Sequence, residues 1–255
     1  MENRGILAVT GGASGIGFEV ARQWLNGGGK VLLLDMNVEA LAGAVQVLGK
    51  DARGIQLDVT NRESVEEAFA DISQTEGKLN GLVNCAGFAR HARVDGLDDA
   101  DFAKVLDVHL GGAMRVCQAA YPLLKLGSQQ NETAAVVNVS SVAGINGTPG
   151  RGSYGTAKAG ILGLTRTLAV EWGPDSVRVN AVGPGPTRTA LVDELIGDQQ
   201  IRVDPLTKRT PLGRMPVVEE VASPIVFLCS DKSSFVNGAC LPIDGGLTID
   251  GSWYD

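Results

Sequence analysis

The sequence predicts an α/β domain: a parallel sheet, doubly wound, with helices on both faces. Three observations predict it. Short apolar runs alternate with helix-patterned stretches along the whole chain. Glycine makes up roughly 13% of the 255 residues against a usual ~7%, a sign of many tight turns and close backbone approaches. A glycine-rich turn, Thr10-Gly11-Gly12-Ala13-Ser14-Gly15-Ile16-Gly17, separates the first apolar run from the first helical one. No linker and no internal repeat of fixed period breaks the alternation, so one domain is expected.

The elements follow in order. Ile6-Leu7-Ala8-Val9-Thr10 is short and apolar, as a strand buried on both faces must be. Residues 15–26 are helical in pattern and stop at Gly27-Gly28-Gly29. Residues 30–35 form a second buried strand and residues 38–48 a helix. Gly54 to Val59 is expected as the third strand. Residues 62–76 read as an amphipathic helix, opened by an Asn61 cap with Glu63 and Ser64 in its first turn. Gly81 to Asn84 is a fourth strand. Residues 98–125 read as one long helix, followed by a polar loop from Gly127 to Thr133. Ala134 to Val139 is a fifth strand; a helix carrying Tyr154 follows, and Ser176 to Val182 is a sixth strand. Residues 186–215 are irregular and carry several prolines. A helix at 217–230 and a strand near Ala239 to Ile243 close the domain.

Composition narrows the function classes. Hydrophobic residues are 44% and charged residues 20%, which fits a soluble globular protein with a sizeable core. The net charge of −7 argues against a nucleic-acid partner, because phosphate binding needs clustered Lys and Arg. The longest apolar runs are far too short to span a bilayer. Residues 1–10 read as a strand and not as a cleaved signal. Cys85, Cys117, Cys229 and Cys240 lack metal or redox spacing and read as small buried residues of a reducing compartment. A cytoplasmic protein without a metal centre is expected.

The chemistry concentrates where strands end. The turn at 10–17 follows a strand and opens a helix, the place where such a fold binds a dinucleotide pyrophosphate. Asp35 ends the second strand. A carboxylate there accepts both ribose hydroxyls of an adenosine and repels a 2′-phosphate. No Arg or Lys stands at 13, 14, 36, 37 or 38, so NAD is favoured over NADP. The competing reading of Asp35 is a turn cap. Asp58 and Val59 are candidates to hold the adenine, and Asn84-Cys85-Ala86-Gly87 offers small residues against the adenosine ribose. Ser140 and Ser141 end the fifth strand, where a hydroxyl can donate to a substrate carbonyl; serines there are also ordinary turn formers. Tyr154 and Lys158 stand at i and i+4 and share one helix face. An ammonium beside a phenol lowers its pKa towards the range of a general acid/base. A surface Tyr/Lys pair is the bland alternative.

These motifs, taken together in order and spacing, resemble the short-chain dehydrogenase/reductase family over about residues 5–246. The matching set is TGxxxGxG at 10–17, NCAG at 84–87 where the family usually has NNAG, Ser141 with Tyr154-xxx-Lys158, Pro184-Gly185 followed by Thr189, and Asp244-Gly245-Gly246. The resemblance implies a single Rossmann-type domain spanning 1–255 with a seven-stranded parallel sheet. It implies Tyr154 as acid/base, Ser141 polarising the carbonyl, and Lys158 holding the nicotinamide ribose and lowering the tyrosine pKa. Gly11, Ser14, Gly15, Ile16, Gly17, Asp35, Asp58, Val59, Asn84, Ala86 and Gly87 are then expected to hold NAD. So are Tyr154, Lys158 and the Val182–Thr189 stretch, with Pro184, Gly185, Thr187 and Thr189. Residues 188–215 would form a substrate lid. A homotetramer pairing the helices at 98–125 and 152–172 is also implied.

One position departs from the family. An Asn is usual in the long fourth helix, within a pattern like D-V-N-L, and this chain has Asp107-Val108-His109-Leu110. The family Asn shapes a helix kink whose carbonyl holds a water in a proton relay to the lysine. His109 is expected to keep that role through its backbone, or to join the relay through its imidazole.

The expected reaction is reversible hydride transfer between NAD and a secondary alcohol or ketone. A 3-oxoacyl-thioester reductase of the same fold is the alternative, although Asp35 speaks against the NADP preference that normally accompanies it. A cofactor-binding protein that has lost catalysis is another. Phe88, Arg90, His91, Ala143, Asn146 and Arg151 are candidates to line the substrate pocket. Arg90, Arg93, Arg151 and Arg188 read either as carboxylate binders or as solvated surface. The Trp253-Tyr254 tail reads as loose or as packed on a neighbouring subunit.

Overall fold

The computed structural model describes residues 5–129, 134–189, 192, 203 and 207–251. Seven parallel strands form one sheet in the order β3-β2-β1-β4-β5-β6-β7. They are β1 (Ile6–Thr10), β2 (Lys30–Asp35), β3 (Ala52–Gln56), β4 (Gly81–Asn84), β5 (Ala134–Val139), β6 (Val177–Pro184) and β7 (Cys240–Ile243). Helices α1 (Gly15–Asn26), α2 (Val38–Leu48) and α8 (Val218–Cys229) cover one face. Helices α3 (Arg62–Thr75), α5 (Gly112–Gly127) and α7 (Gly152–Trp172) cover the other, with α4 (Asp99–Leu106) and the short α6 (Val142–Ile145) at the carboxyl edge.

The two cores follow from the period of a strand. Successive side chains point to opposite faces. Leu32 and Leu34 join Val65, Phe69 and Leu124 on one side, while Val31 and Leu33 join Val20, Trp24 and Leu41 on the other. All four of these β2 positions are buried, so the strand reads as a continuous apolar run. All four cysteines are thiols, with no disulfide among them.

Most expected elements form where the pattern puts them, and Asn61 caps α3 by accepting from the Ser64 amide. Three differ. The third strand is Ala52–Gln56, earlier than the expected 54–59. It is an edge strand with alternating burial, so it lacks the apolar run that marks an inner strand. Its ladder stops where Asp35 faces Gln56. The sixth strand runs on to Pro184, which faces Ile243 of β7. The long helix expected at 98–125 is interrupted by a π-helical turn, Asp107–Gly111, between α4 and α5. Such a turn inserts an extra residue into the helical repeat and commonly marks a functional site.

The order β3-β2-β1-β4 reverses direction between β1 and β4, which opens a crevice at their carboxyl ends. Among the described residues, no helix is long and apolar enough to cross a membrane and no cluster of metal-binding side chains occurs. The lid expected at 188–215 lies partly outside the described residues, as do residues 130–133 of the polar loop, and the Trp253-Tyr254 tail lies wholly outside them.

Candidate active site

The crevice is sealed at its base by Thr10. Its hydroxyl oxygen accepts from the amides of Cys85 at 3.1 Å and Ala86 at 3.2 Å, tying the end of β1 to the end of β4. Above it the glycine-rich turn leaves no room for side chains. A Cβ on Gly17 would lie 2.3 Å from the Gly11 carbonyl oxygen, and Gly11 itself sits at φ +64° against Ala86. Ser14 is the N-cap of α1 but its side chain caps nothing. The first amides of this 12-residue helix, including that of Ile16, therefore point into the crevice without a side-chain acceptor. The loop after β6 comes to the same place: Gly185 donates to Ile243 at 3.0 Å, the Thr187 hydroxyl donates to Gly185, and the Thr189 methyl lies 3.8 Å from a Cβ built on Gly15.

Asp35 accepts from the Ala13 amide at 3.3 Å and the Asn37 amide at 3.1 Å, one on each carboxylate oxygen. It thus braces the glycine-rich turn as a cap would, and each oxygen keeps a lone pair for a ribose hydroxyl. Beside it opens a groove of about 420 Å³, lined by Met36, Gln56, Asp58, Ser64, Glu67 and Asp71 among others. The lining holds three carboxylates and no Lys or Arg. Asp58 reaches it while also accepting from the Thr60 amide and hydroxyl. Val59 does not line it. The chain turns inward after Asp58, and Val59 packs in the core. Asn84 likewise turns its amide into the sheet, donating to Asn138 at 2.8 Å.

At the carboxyl end of β5, Ser141 caps α6 by accepting from the Ala143 amide, and it stands near enough to the Tyr154 phenol to pull the phenol's pKa down. Ser140 donates to the Lys158 carbonyl at 2.8 Å, which pins α7 beneath them. Tyr154 and Lys158 share one helix face, and the ammonium lies 5.6 Å from the centre of the phenol ring.

Their electrostatics differ from the sequence expectation. Lys158 was to lower the Tyr154 pKa. Here burial pushes the Tyr154 phenol above its usual range, while Ser141 and Arg151 pull it back. Lys158 is itself buried, at 6% exposure, and burial brings its pKa down to about 8. Its ammonium donates to the Val139 carbonyl at 2.7 Å and not to the phenol. The i, i+4 spacing fixes a shared face; the rotamer that satisfies a buried ammonium decides where the charge goes.

His109 sits in the π turn and is 4% exposed. Its Nε2 lies 2.9 Å from the Phe88 carbonyl oxygen and 3.3 Å from the Phe88 amide nitrogen. Its ring meets the Tyr154 ring edge-on, with centroids 5.3 Å apart. Burial, and next the Lys158 charge, bring its pKa down to about 4. Its Nδ1 and the Oδ1 of Asn84 are buried without hydrogen-bond partners. Both residues, with Lys158, line a cavity of about 10 Å³, room for one water.

Residues 11–248 match the profile of the family described as enoyl-(acyl carrier protein) reductase. The chain is 38% identical over 251 residues to a 3-oxoacyl-[acyl-carrier-protein] reductase of Thermotoga maritima, covering 96% of this chain and 98% of the relative. It is superimposable, at a TM-score of 0.89 and 33% identity, on a short-chain type dehydrogenase/reductase from Mycobacterium ulcerans, covering 96% of this chain and 90% of that one. The chain belongs to the short-chain dehydrogenase/reductase family. A second relative, 36% identical over 95% of this chain and 96% of its own length, is a 2-(S)-hydroxypropyl-CoM dehydrogenase of Xanthobacter autotrophicus. As a short-chain dehydrogenase/reductase the protein is an oxidoreductase that uses a nicotinamide cofactor.

The glycine cradle and the uncapped N-terminus of α1 fit a dinucleotide in this short-chain dehydrogenase/reductase. Sequence reading passed over Thr10 as a site residue. A hydroxyl closing an apolar strand at a glycine turn is a weak signal, and only strand order shows that β4 lies beside it. The candidate arginines also separate. Arg90 pairs with Asp101 and Arg93 with Asp95, whereas Arg151 stands with its Cζ 5.4 Å from the centre of the Tyr154 ring.

Proposed function

We propose that this short-chain dehydrogenase/reductase interconverts a secondary alcohol and its ketone, using NAD. The observation that carries the reading is the meeting of Ser141, at the carboxyl end of β5, with Tyr154, whose ring centre lies 5.6 Å from the Lys158 ammonium on the same helix face. The crevice beside it takes the dinucleotide: amides of Ser14 to Gly17 face its pyrophosphate, and Pro184, Gly185, Thr187 and Thr189 close over the turn. The acidic groove beside Asp35 supports NAD, since a 2′-phosphate would meet carboxylates there and no Lys or Arg lines the groove. The nicotinamide ring supplies the hydride acceptor or donor.

This chain's residues then handle the proton and the oxygen. Tyr154 takes the hydroxyl proton in oxidation and returns it in reduction, and Ser141 holds the substrate oxygen from the other side. Two such preorganised donors are worth a few kcal/mol. Lys158 holds the nicotinamide ribose and keeps positive charge beneath the site. Neutral His109 acts through position. The whole chain is read as one NAD-binding domain, its lid at about 188–215. Pairing of the long helices into a homotetramer fits the 79% exposure of Val170 on α7.

The named activity of the 38% identical relative favours a second reading, reduction of a 3-oxoacyl thioester. A spectrophotometric screen separates them. NADH should form with simple secondary alcohols, and NADPH consumption with acetoacetyl thioesters should be slower. Fast, NADPH-specific thioester reduction would replace the first reading with the second.

A further inference from the structure

Two cations approach the Tyr154 ring. Lys158, 5.6 Å from its centre, is committed to the Val139 carbonyl. Arg151 lies 5.4 Å from its centre. Its guanidinium has no carboxylate partner and no side-chain hydrogen bond among the described residues, although the residue is partly buried. Burial already works against its charge, while Tyr154 favours it.

The backbone fixes Arg151 in this place. It precedes α7 as the N-cap residue and pairs with Ala92 in a β-bridge. Its amide donates to Thr148 at 3.2 Å, and its carbonyl accepts from Gly155 at 2.6 Å. The side chain therefore leaves a rigid base beside the proposed proton donor. Among the described residues its neighbours offer no counter-charge. Arg90 and Arg93 are paired with Asp101 and Asp95, and His91 feels Arg151 as a like charge.

A partly desolvated guanidinium with five donors is costly to leave unmatched, and contact with an aromatic face satisfies only its charge. Its planar fork matches a carboxylate, or a similar oxyanion, by two parallel hydrogen bonds. Tyr154 marks the oxygen that reacts, so the anion it awaits lies within a few bonds of the carbinol carbon.

We propose that the substrate is an anionic hydroxy acid or its keto acid, whose carboxylate is bound by Arg151 while its carbinol oxygen lies on Tyr154 and Ser141. This rests on the alcohol dehydrogenase reading above and narrows its substrate class. The cofactor phosphates are served separately, by the N-terminus of α1.

The test compares lactate, β-hydroxybutyrate and γ-hydroxyvalerate, each beside its uncharged amide, by NADH formation. Binding of acetoacetate and acetoacetamide to the enzyme–NAD complex is measured by calorimetry. At least one acid should exceed its amide in kcat/KM by about tenfold or more, the expected scale of a charge-assisted hydrogen bond. Arg151→Gln should collapse that ratio towards one, chiefly through KM, and Arg151→Lys should restore part of it. Equal rates and affinities for acids and amides would overturn the proposal, as would a preference that survives Arg151→Gln. Absence of NADH with every compound, beside tighter calorimetric binding of acetoacetate, would instead sink the dehydrogenase reading and leave the anion site standing.

Discussion

Gly87 and His109 compete for one volume. A Cβ built on Gly87 would lie 2.1 Å from the His109 Cε1 and 2.5 Å from Nδ1. The imidazole thus fills the space that glycine leaves at the end of β4, and from there it holds the Phe88 backbone. The family-usual Asn is shorter, so this chain has enlarged the residue on one side of a contact that only glycine permits on the other.

A coupled pair of substitutions follows. Gly87→Ala should destabilise the fold by about 1–3 kcal/mol, the range for overpacking a tight site. In the His109→Asn background the cost should shrink, with a coupling of roughly 0.5–3 kcal/mol between the two positions. Urea unfolding of the four proteins gives the cycle. Additive effects would mean that the rings and methyls avoid each other.

The imidazole should be neutral wherever the enzyme works. Its folded pKa, about 4, lies below its ordinary 6.5. The unfolded chain therefore binds the proton more readily, and this contribution to stability is complete above pH 6.5 and is lost as pH falls towards 4. Consequently kcat should show no ionisation at pH 6 to 7 that His109→Asn removes. Profiles recorded where chemistry limits turnover decide the matter; a limb that disappears in the variant would restore the imidazole to the relay.

Tyr154 titrates late in the free enzyme, because burial outweighs Ser141 and Arg151. The ultraviolet difference between wild type and Tyr154→Phe should show no phenolate step below pH 10 without cofactor. The same variant should keep cofactor binding and lose ~10² to 10⁴-fold in kcat, as for a lost acid/base group. Retention of a tenth of the activity would remove Tyr154 from its role.

Cofactor choice should rest on Asp35. NAD should exceed NADP in kcat/KM by at least about tenfold, or ~1.4 kcal/mol. Asp35→Asn should narrow the gap by admitting the phosphate. It should also lower stability slightly, since the Ala13 and Asn37 amides lose a charged acceptor. Equal efficiencies in the wild type would refute the assignment.

The sequence by itself determined what is local or strongly periodic. Apolar runs of four to seven residues placed the inner strands, the Asn61 cap placed α3, and the i, i+4 spacing put Tyr154 and Lys158 on one face. The glycine turn between β1 and α1 marked the crevice, because its chemistry is that of consecutive backbone amides. Tertiary structure decided whatever depends on neighbours distant in the chain. β3 was misplaced because an edge strand is buried on one side and shows no continuous run. Val59 turned into the core because the ladder with β2 ends at Gln56. The long helix broke at Asp107–Gly111, since nothing in its composition forbids helix and only packing against Val59 and α7 sets the turn. The Tyr154–Lys158 pair showed the limit most clearly. Spacing brought the groups together, but the Val139 carbonyl, nineteen residues from Lys158, took the ammonium. Charge in a buried site goes to whichever acceptor the fold presents, and no sequence pattern records that geometry.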